Sequence, residues 1–294
     1  MPWFSYHGGH SGEFCGHAKD KLEAIVRAAI DRGFTHYGLS EHSPRYNESE
    51  LYPEERDAGV AKLHTLFEDY VAEARRLQSE YADRIELLVG FETEKLPLAG
   101  WADTMVELRR RHDFDFVVGS VHDLGGRWVD FSAEITAELA SEVGGKSELQ
   151  RRYFESLAEL VSTLRPEIVG HIDLVRKFDG MEARIEADVF ASIDRALEAA
   201  RSVGARLDVN CGAFRRGLSP VYPLPEILRR AREMEVRVTL GDDGHGVGTV
   251  GTELAASVRA IAEAGYLEID YLTRRDGETT WIPAPIEEVR PEIP

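Results

Sequence analysis

The sequence predicts an α/β protein on a parallel sheet, and three observations carry that prediction. Short β-branched and apolar runs alternate with longer amphipathic ones about seven times along 294 residues. Several amphipathic runs end on glycine, as at Gly33, Gly204 and Gly265, where a left-handed helix cap costs little. Histidines and carboxylates recur just beyond the apolar runs. Strand followed by helix, repeated, calls for parallel strands joined by helical crossovers. At this length a closed barrel is the leading form and an open doubly wound sheet the second.

The elements follow in order. Strands are expected in WFSYH (3–7), THYGLS (35–40), ELLVGFE (86–92), DFVVGSV (115–121), EIVGH (167–171), RLDVN (206–210) and VRVTLG (236–241). Helical spacing fills KDKLEAIVRAAIDRG, the long run EERDAGVAKLHTLFEDYVAEARRLQSEY, and WADTMVELRRRH. It returns in KSELQRRYFESLAELVSTL, EADVFASIDRALEAARSVG, LPEILRRAREM and GTELAASVRAIAEAG. Residues 128–146 lack clear periodicity and are expected as an insertion on the site face. The tail EIDYLTRRDGETTWIPAP, within about 266–285, predicts a hairpin turning on Asp276-Gly277. No repeat or low-complexity stretch interrupts the chain, so residues 1–294 are expected to form one barrel domain.

Composition narrows the function classes. A net charge of −18 disfavours nucleic acid and membrane surfaces as partners, since both require a basic face. No apolar run approaches the ~18–20 residues of a membrane span, and the start lacks a signal-peptide pattern. Two cysteines, Cys15 and Cys211, fit a reducing compartment, so a cytoplasmic location is expected. Oligomeric state leaves no signature here.

Seven of the ten histidines fall at or just past the predicted strand ends: His7, His10, His17, His42, His122, His171 and His245. Glu92 ends the third strand, Asn210 the sixth, and Asp243 follows the seventh. In a parallel barrel those ends form the face that carries chemistry. Any one of these residues alone is an ordinary loop residue; their recurrence at successive strand ends points to a metal site. Imidazole suits zinc, iron and manganese, and a carboxylate such as Glu92 can bridge two ions. The set exceeds what one ion needs, so two or three divalent ions are expected.

HSGEFCGHA, SEHSPR, GFETE, GSVHDLGG, GHIDLVRKF, DVNCGAFRRGLSPVYP and LGDDGHG, in this order, resemble the PHP (polymerase and histidinol phosphatase) superfamily. More narrowly, they resemble its histidinol-phosphate phosphatases, through GHIDLVRKF and FRRGLSPVYP. The resemblance spans residues 7 to about 250. It implies a distorted seven-stranded TIM-like (β/α) barrel with a trinuclear metal centre at the C-terminal ends of the strands. By motif, His10 and Asp243 serve one metal, Glu92, His122 and His171 a second, and His17, His42 and His245 a third. Asp243 or His245 is expected to assist the leaving group, and Glu92 to bridge.

One departure stands out. Anchored on HSGEFCGH, the family's first histidine falls on Gly8. Residues three apart on a regular strand face opposite sides, so His7 and His10 need a β-bulge at Gly8-Gly9 to reach one ion. His7 is expected to be the replacement ligand; the alternative is a spectator His7 and weakened catalysis.

A phosphomonoester also needs charged donors, and Arg45, Arg176, Lys177, Arg215 and Arg216 lie close to strand ends, with Asn210 as a further hydrogen-bonding group. Glu41, Glu94 and Asp123 are candidates for a substrate amine. The expected substrate is a small phosphomonoester, L-histidinol phosphate first. The expected reaction is hydrolysis without a covalent enzyme intermediate. Alternatives are another phosphoesterase of the same superfamily, an amidohydrolase-like hydrolase of other bonds, or a metal-binding domain with weakened catalysis.

Overall fold

The computed structural model describes residues 1–95, 100–179, 185–215 and 221–290. Seven parallel strands run in sequence order: β1 (Phe4–Ser5), β2 (His36–His42), β3 (Glu86–Glu94), β4 (Phe116–Ser120), β5 (Ile168–Val169), β6 (Arg206–Asn210) and β7 (Val238–Gly241). The Tyr6 amide donates to the Leu240 carbonyl at 3.0 Å, which brings the first strand against the last. The result is the barrel, not the open sheet. Register aligns the chemistry: His42 pairs with Glu92 and Asn210 with Gly241, so the strand ends lie level.

Helices α1 (Leu22–Asp31), α2 (Gly59–Glu80), α3 (Trp101–His112), α4 (Ala133–Val143), α5 (Lys146–Leu164), α6 (Phe190–Val203), α7 (Gly212–Arg215), α8 (Pro225–Glu233) and α9 (Leu254–Glu263) follow the strands. Their periodicity explains their placement. On α2, Phe67, Tyr70, Ala74 and Leu77 recur at spacings of three and four and are all buried. The Tyr70 hydroxyl lies 2.7 Å from the carbonyls of both Leu39 and Gly90, tying α2 to β2 and β3. Gly33, Gly204 and Gly265 carry φ of +75°, +76° and +89°, as their helix-ending positions predict.

Two strands are shorter than the sequence suggests. β1 and β5 pair over two residues each, because the chain turns away at His7-Gly8-Gly9 and at Gly170-His171. The unpatterned stretch 128–146 contains α4, started by a cap in which the Ser132 hydroxyl accepts the Ile135 amide at 3.2 Å. Only Leu139 of α4 is buried, and one buried side chain leaves no period to detect.

The tail forms the expected hairpin, β8 (Glu268–Arg275) and β9 (Glu278–Pro285). It closes the N-terminal end of the barrel. Glu86, first in β3, accepts from the Thr273 hydroxyl at 2.9 Å. Arg206, first in β6, donates to Asp270 at 2.8 Å and lies 4.7 Å over the Trp281 ring. The Tyr6 hydroxyl donates to the Leu272 carbonyl at 2.7 Å from within the barrel. With the base covered, the C-terminal face is left open to solvent and ligand. Among the described residues no helix is long and apolar enough to cross a membrane.

Candidate metal centre

Glu92, 1% exposed near the end of β3, is the hub of this face. Its Oε1 lies 3.2 Å from His7 Nε2, 3.4 Å from His171 Nε2 and 3.6 Å from His122 Nε2. Its Oε2 lies 3.0 Å from His42 Nδ1 and 4.0 Å from His10 Nε2. One carboxylate thus faces five imidazoles from four strand ends and the loop after β1. Despite burial, the surrounding His7, His122 and His42 rings hold the Glu92 carboxyl well below its usual range. Burial also works against a charged His7, but Glu92 and Asp208 outweigh it and raise that ring well above the ordinary histidine value.

The two-glycine turn makes this convergence. Gly9 has φ of +74° and Gly8 of +154°, and a Cβ on Gly8 would stand 2.1 Å from an Asp242 oxygen. The turn carries His7 and His10 inward together, their ring centroids 6.1 Å apart and both side chains fully buried. The doubled hydrogen bonding typical of a bulge lies opposite: the amides of Asp242 and Asp243 both donate to the His7 carbonyl, at 3.1 and 2.7 Å. Asp243, at φ +49°, turns its carboxylate to 4.0 Å from His7 Nε2.

A second group lies beside the first. His10 stacks between His42 and His245, with centroids 4.4 and 4.3 Å away. The more exposed His17 ring lies 5.3 Å from His42 and 5.0 Å from His245. Burial, with His10 next, pushes His245 well below its ordinary value, so its ring is neutral and keeps a lone pair.

Three imidazoles are fixed from behind. His7 Nδ1 lies 2.7 Å from Asp208, His10 Nδ1 3.3 Å from Glu41, and His245 Nδ1 2.9 Å from the Asp243 carbonyl. Each partner can only accept in its ionised or carbonyl form, so each ring donates from Nδ1 and turns Nε2 outward from that bond. Rings that ligate metals are oriented in this way.

The donor set fits divalent cations. Nε2 of His7 and His10, Nδ1 of His171 and Oε1 of Glu92 are buried with no hydrogen-bond partner among the described residues. Buried polar atoms without partners are costly. A cation between them removes that penalty. Donor atoms within 4.8 Å of one another form the groups His7–Glu92–His171, His7–His10–Asp243, His10–Glu41–His42 and Cys15–His17–His42–His245.

The centre floors a cleft of about 260 Å³, lined also by Tyr52, Glu54, Asp130, Phe131, Leu174 and Lys177. Of the cationic residues singled out from sequence, Lys177 is in that lining, 3.0 Å from Asp130. Arg176 is not; it is buried 3.6 Å from Asp173 and 4.0 Å from Asp179. Arg45 is also buried beside the cleft wall, donating to Glu55 at 3.2 Å and lying 4.7 Å over the Tyr52 ring. Asn210 donates to the Asp208 carboxylate at 2.8 Å and accepts the Gly212 amide at 2.6 Å. Arg216 and the side chains of Arg215 and Glu94 lie outside the described residues. Glu41 sits beneath His10, and Asp123 lines a separate cavity with Lys95 and Arg152. Sequence reasoning missed Asp208, although its place two residues before Asn210 on one strand face was a signal, and it missed Tyr52, Glu54 and Asp130 for want of any pattern.

A parallel barrel whose strand ends gather imidazoles and carboxylates into one cleft defines a metal-dependent barrel enzyme class. The chain belongs to the PHP domain family, whose model matches residues 7–211. It is 36% identical over 247 residues to a Schizosaccharomyces pombe protein named "Probable histidinol-phosphatase", covering 82% of this chain and 80% of that one. A crystal structure of a candidate histidinol phosphatase from Listeria monocytogenes superposes with a TM-score of 0.74 at 27% identity, over 84% of this chain and 97% of that one. A histidinol phosphate phosphatase from Lactococcus lactis, solved with zinc, L-histidinol and phosphate, shares the fold with a TM-score of 0.70 at 21% identity, over 95% and 98% of the two chains.

Proposed function

We propose that this chain hydrolyses L-histidinol phosphate to L-histidinol and phosphate in the cytoplasm, as a step of histidine biosynthesis. The observation that carries the reading is Glu92, buried and facing five imidazoles at the floor of a cleft large enough for a small phosphomonoester. The names of relatives spanning most of this chain support the substrate.

Two or three divalent ions, of zinc, manganese or iron, would be held by His7, His10, His17, His42, Glu92, His122, His171, Asp243 and His245. Such ions lower the pKa of water and neutralise charge on phosphoryl oxygens. The chain's own residues do the rest. Glu92, with imidazoles facing both of its oxygens, would be the carboxylate through which the chain holds more than one ion. Asp208 and Glu41 hold His7 and His10 in register. Lys177 reaches from the cleft wall toward the phosphoryl group, with Asp130 keeping its ammonium in place. Asp243, at the cleft floor, manages the proton at the leaving oxygen. Glu54 and the Tyr52 ring face the amine and imidazole of the substrate.

The test is phosphate release from L-histidinol phosphate, a nucleoside monophosphate and an aryl phosphate, side by side, by metal-supplemented protein. Selective turnover of the first supports the reading. Equal turnover of all three moves the substrate to another phosphomonoester.

A further inference from the structure

We propose that Cys15 is a metal ligand, supplying the fourth protein donor to the ion held by His17, His42 and His245. Its Sγ lies 3.4 Å from both ring nitrogens of His17. Its Sγ and one donor atom from each of His17, His42 and His245 all fall within 4.8 Å of one another. Sulfur and nitrogen bound to one tetrahedral zinc at ~2.3 and ~2.05 Å stand ~3.6 Å apart, so these separations suit co-ligands.

The backbone fixes the sulfur in place. The Cys15 amide donates to the Ser11 carbonyl at 2.9 Å, and its carbonyl accepts the Ala18 amide at 3.3 Å. The other cysteine behaves differently: Cys211 is fully buried and points at carbonyls, with its Sγ 3.1 Å from the Thr252 oxygen. Cys15 instead faces imidazoles, His42 as well as His17, and its sulfur hydrogen-bonds to His42. His17 is the most solvent-exposed of the three histidines, so a buried sulfur gives the position its anchor.

Ligation replaces the S–H bond with a sulfur–metal bond and releases one proton to solvent. A thiolate is a soft donor and favours zinc over manganese at this position. Three imidazoles and one thiolate also complete a tetrahedral set, as in closed zinc sites. Open positions then belong to the ligands around Glu92.

The proposal rests on the reading of this face as a metal centre, and cobalt separates the two. Metal-stripped protein is reloaded with Co(II), and its absorption is compared among wild type, Cys15→Ser and Cys211→Ser. Wild type and Cys211→Ser are expected to show a near-ultraviolet thiolate-to-cobalt band that Cys15→Ser lacks, and zinc affinity at one site falls roughly ten-fold or more in Cys15→Ser. Cobalt bound without that band in wild type overturns the Cys15 assignment alone; no cobalt bound overturns the metal centre as well. A measurement on wild type covers a variant that fails to fold: alkylation of Cys15 is expected to be blocked by zinc and restored by chelation. Equal labelling in both states contradicts the proposal.

Discussion

Asp208 Oδ2 stands 2.7 Å from His7 Nδ1, and neither side chain has any exposed surface. This pair decides which nitrogen of His7 faces Glu92. Because the carboxylate holds the Nδ1 proton, Nε2 is the nitrogen that would give up its proton to a cation on the side where the other imidazoles converge. Asp208→Ala is expected to weaken the most loosely held ion by roughly 10–100-fold, read by chelator competition. Unchanged affinity in a folded variant would show that the pair is only a buried ion pair.

The motif pattern places the family's first histidine at Gly8, and His7 is proposed to take its place. His7→Ala is expected to lower bound metal by one ion per chain, by mass spectrometry of the metal content, and to slow turnover by roughly 100-fold or more. Full stoichiometry and rate would make His7 a spectator.

The Gly8-Gly9 turn carries strain for any other residue, since a Cβ on Gly8 would overlap Asp242. Gly8→Ala is expected to cost about 1–3 kcal/mol in denaturant unfolding and to lower metal content with it. A variant as stable as wild type, with all its metal, contradicts the account of how His7 and His10 converge.

Among the described residues, Lys177 is a cation at the cleft wall. Lys177→Met is expected to reduce kcat/KM for the phosphomonoester by roughly 10–100-fold, the worth of about 1.5–3 kcal/mol for a charged hydrogen bond, with metal content unchanged. Loss of metal together with activity would mean that Lys177 holds the Asp130 segment and not the substrate.

The base of the barrel answers a different question. Asp270, buried between Arg206 and Arg237, fastens the terminal hairpin. Asp270→Ala is expected to destabilise the fold by about 2–4 kcal/mol in chemical denaturation, because it strands cationic groups, while kcat stays within about two-fold in the folded enzyme. A large drop in kcat would show that the two barrel faces are coupled.

The barrel was legible because its strands and helices carry different periods and its histidines fall where the strand period stops. His42, His122 and His171 are found by that rule alone. Proximity in sequence to a strand end says nothing about direction: Arg176 lies beside Asp173, three residues earlier, and not in the cleft lining. Arg45 likewise lies beside Glu55. Tyr52 and Glu54 escaped notice because they reach the cleft from a short 3₁₀ stretch with no period. The helix α4 escaped because it covers α5 with one buried leucine. Asp208 sat in view, but a carboxylate inside an apolar strand takes its meaning only from the ring it meets.

The central claim is that Glu92 is the shared carboxylate of a multinuclear centre. Anomalous diffraction at the zinc edge from crystals grown with zinc tests it most directly. The account predicts at least two peaks within bonding distance of Glu92 oxygens, flanked by His7, His42, His122 and His171. Zinc peaks remote from Glu92, or a single ion bound without it, would contradict the account.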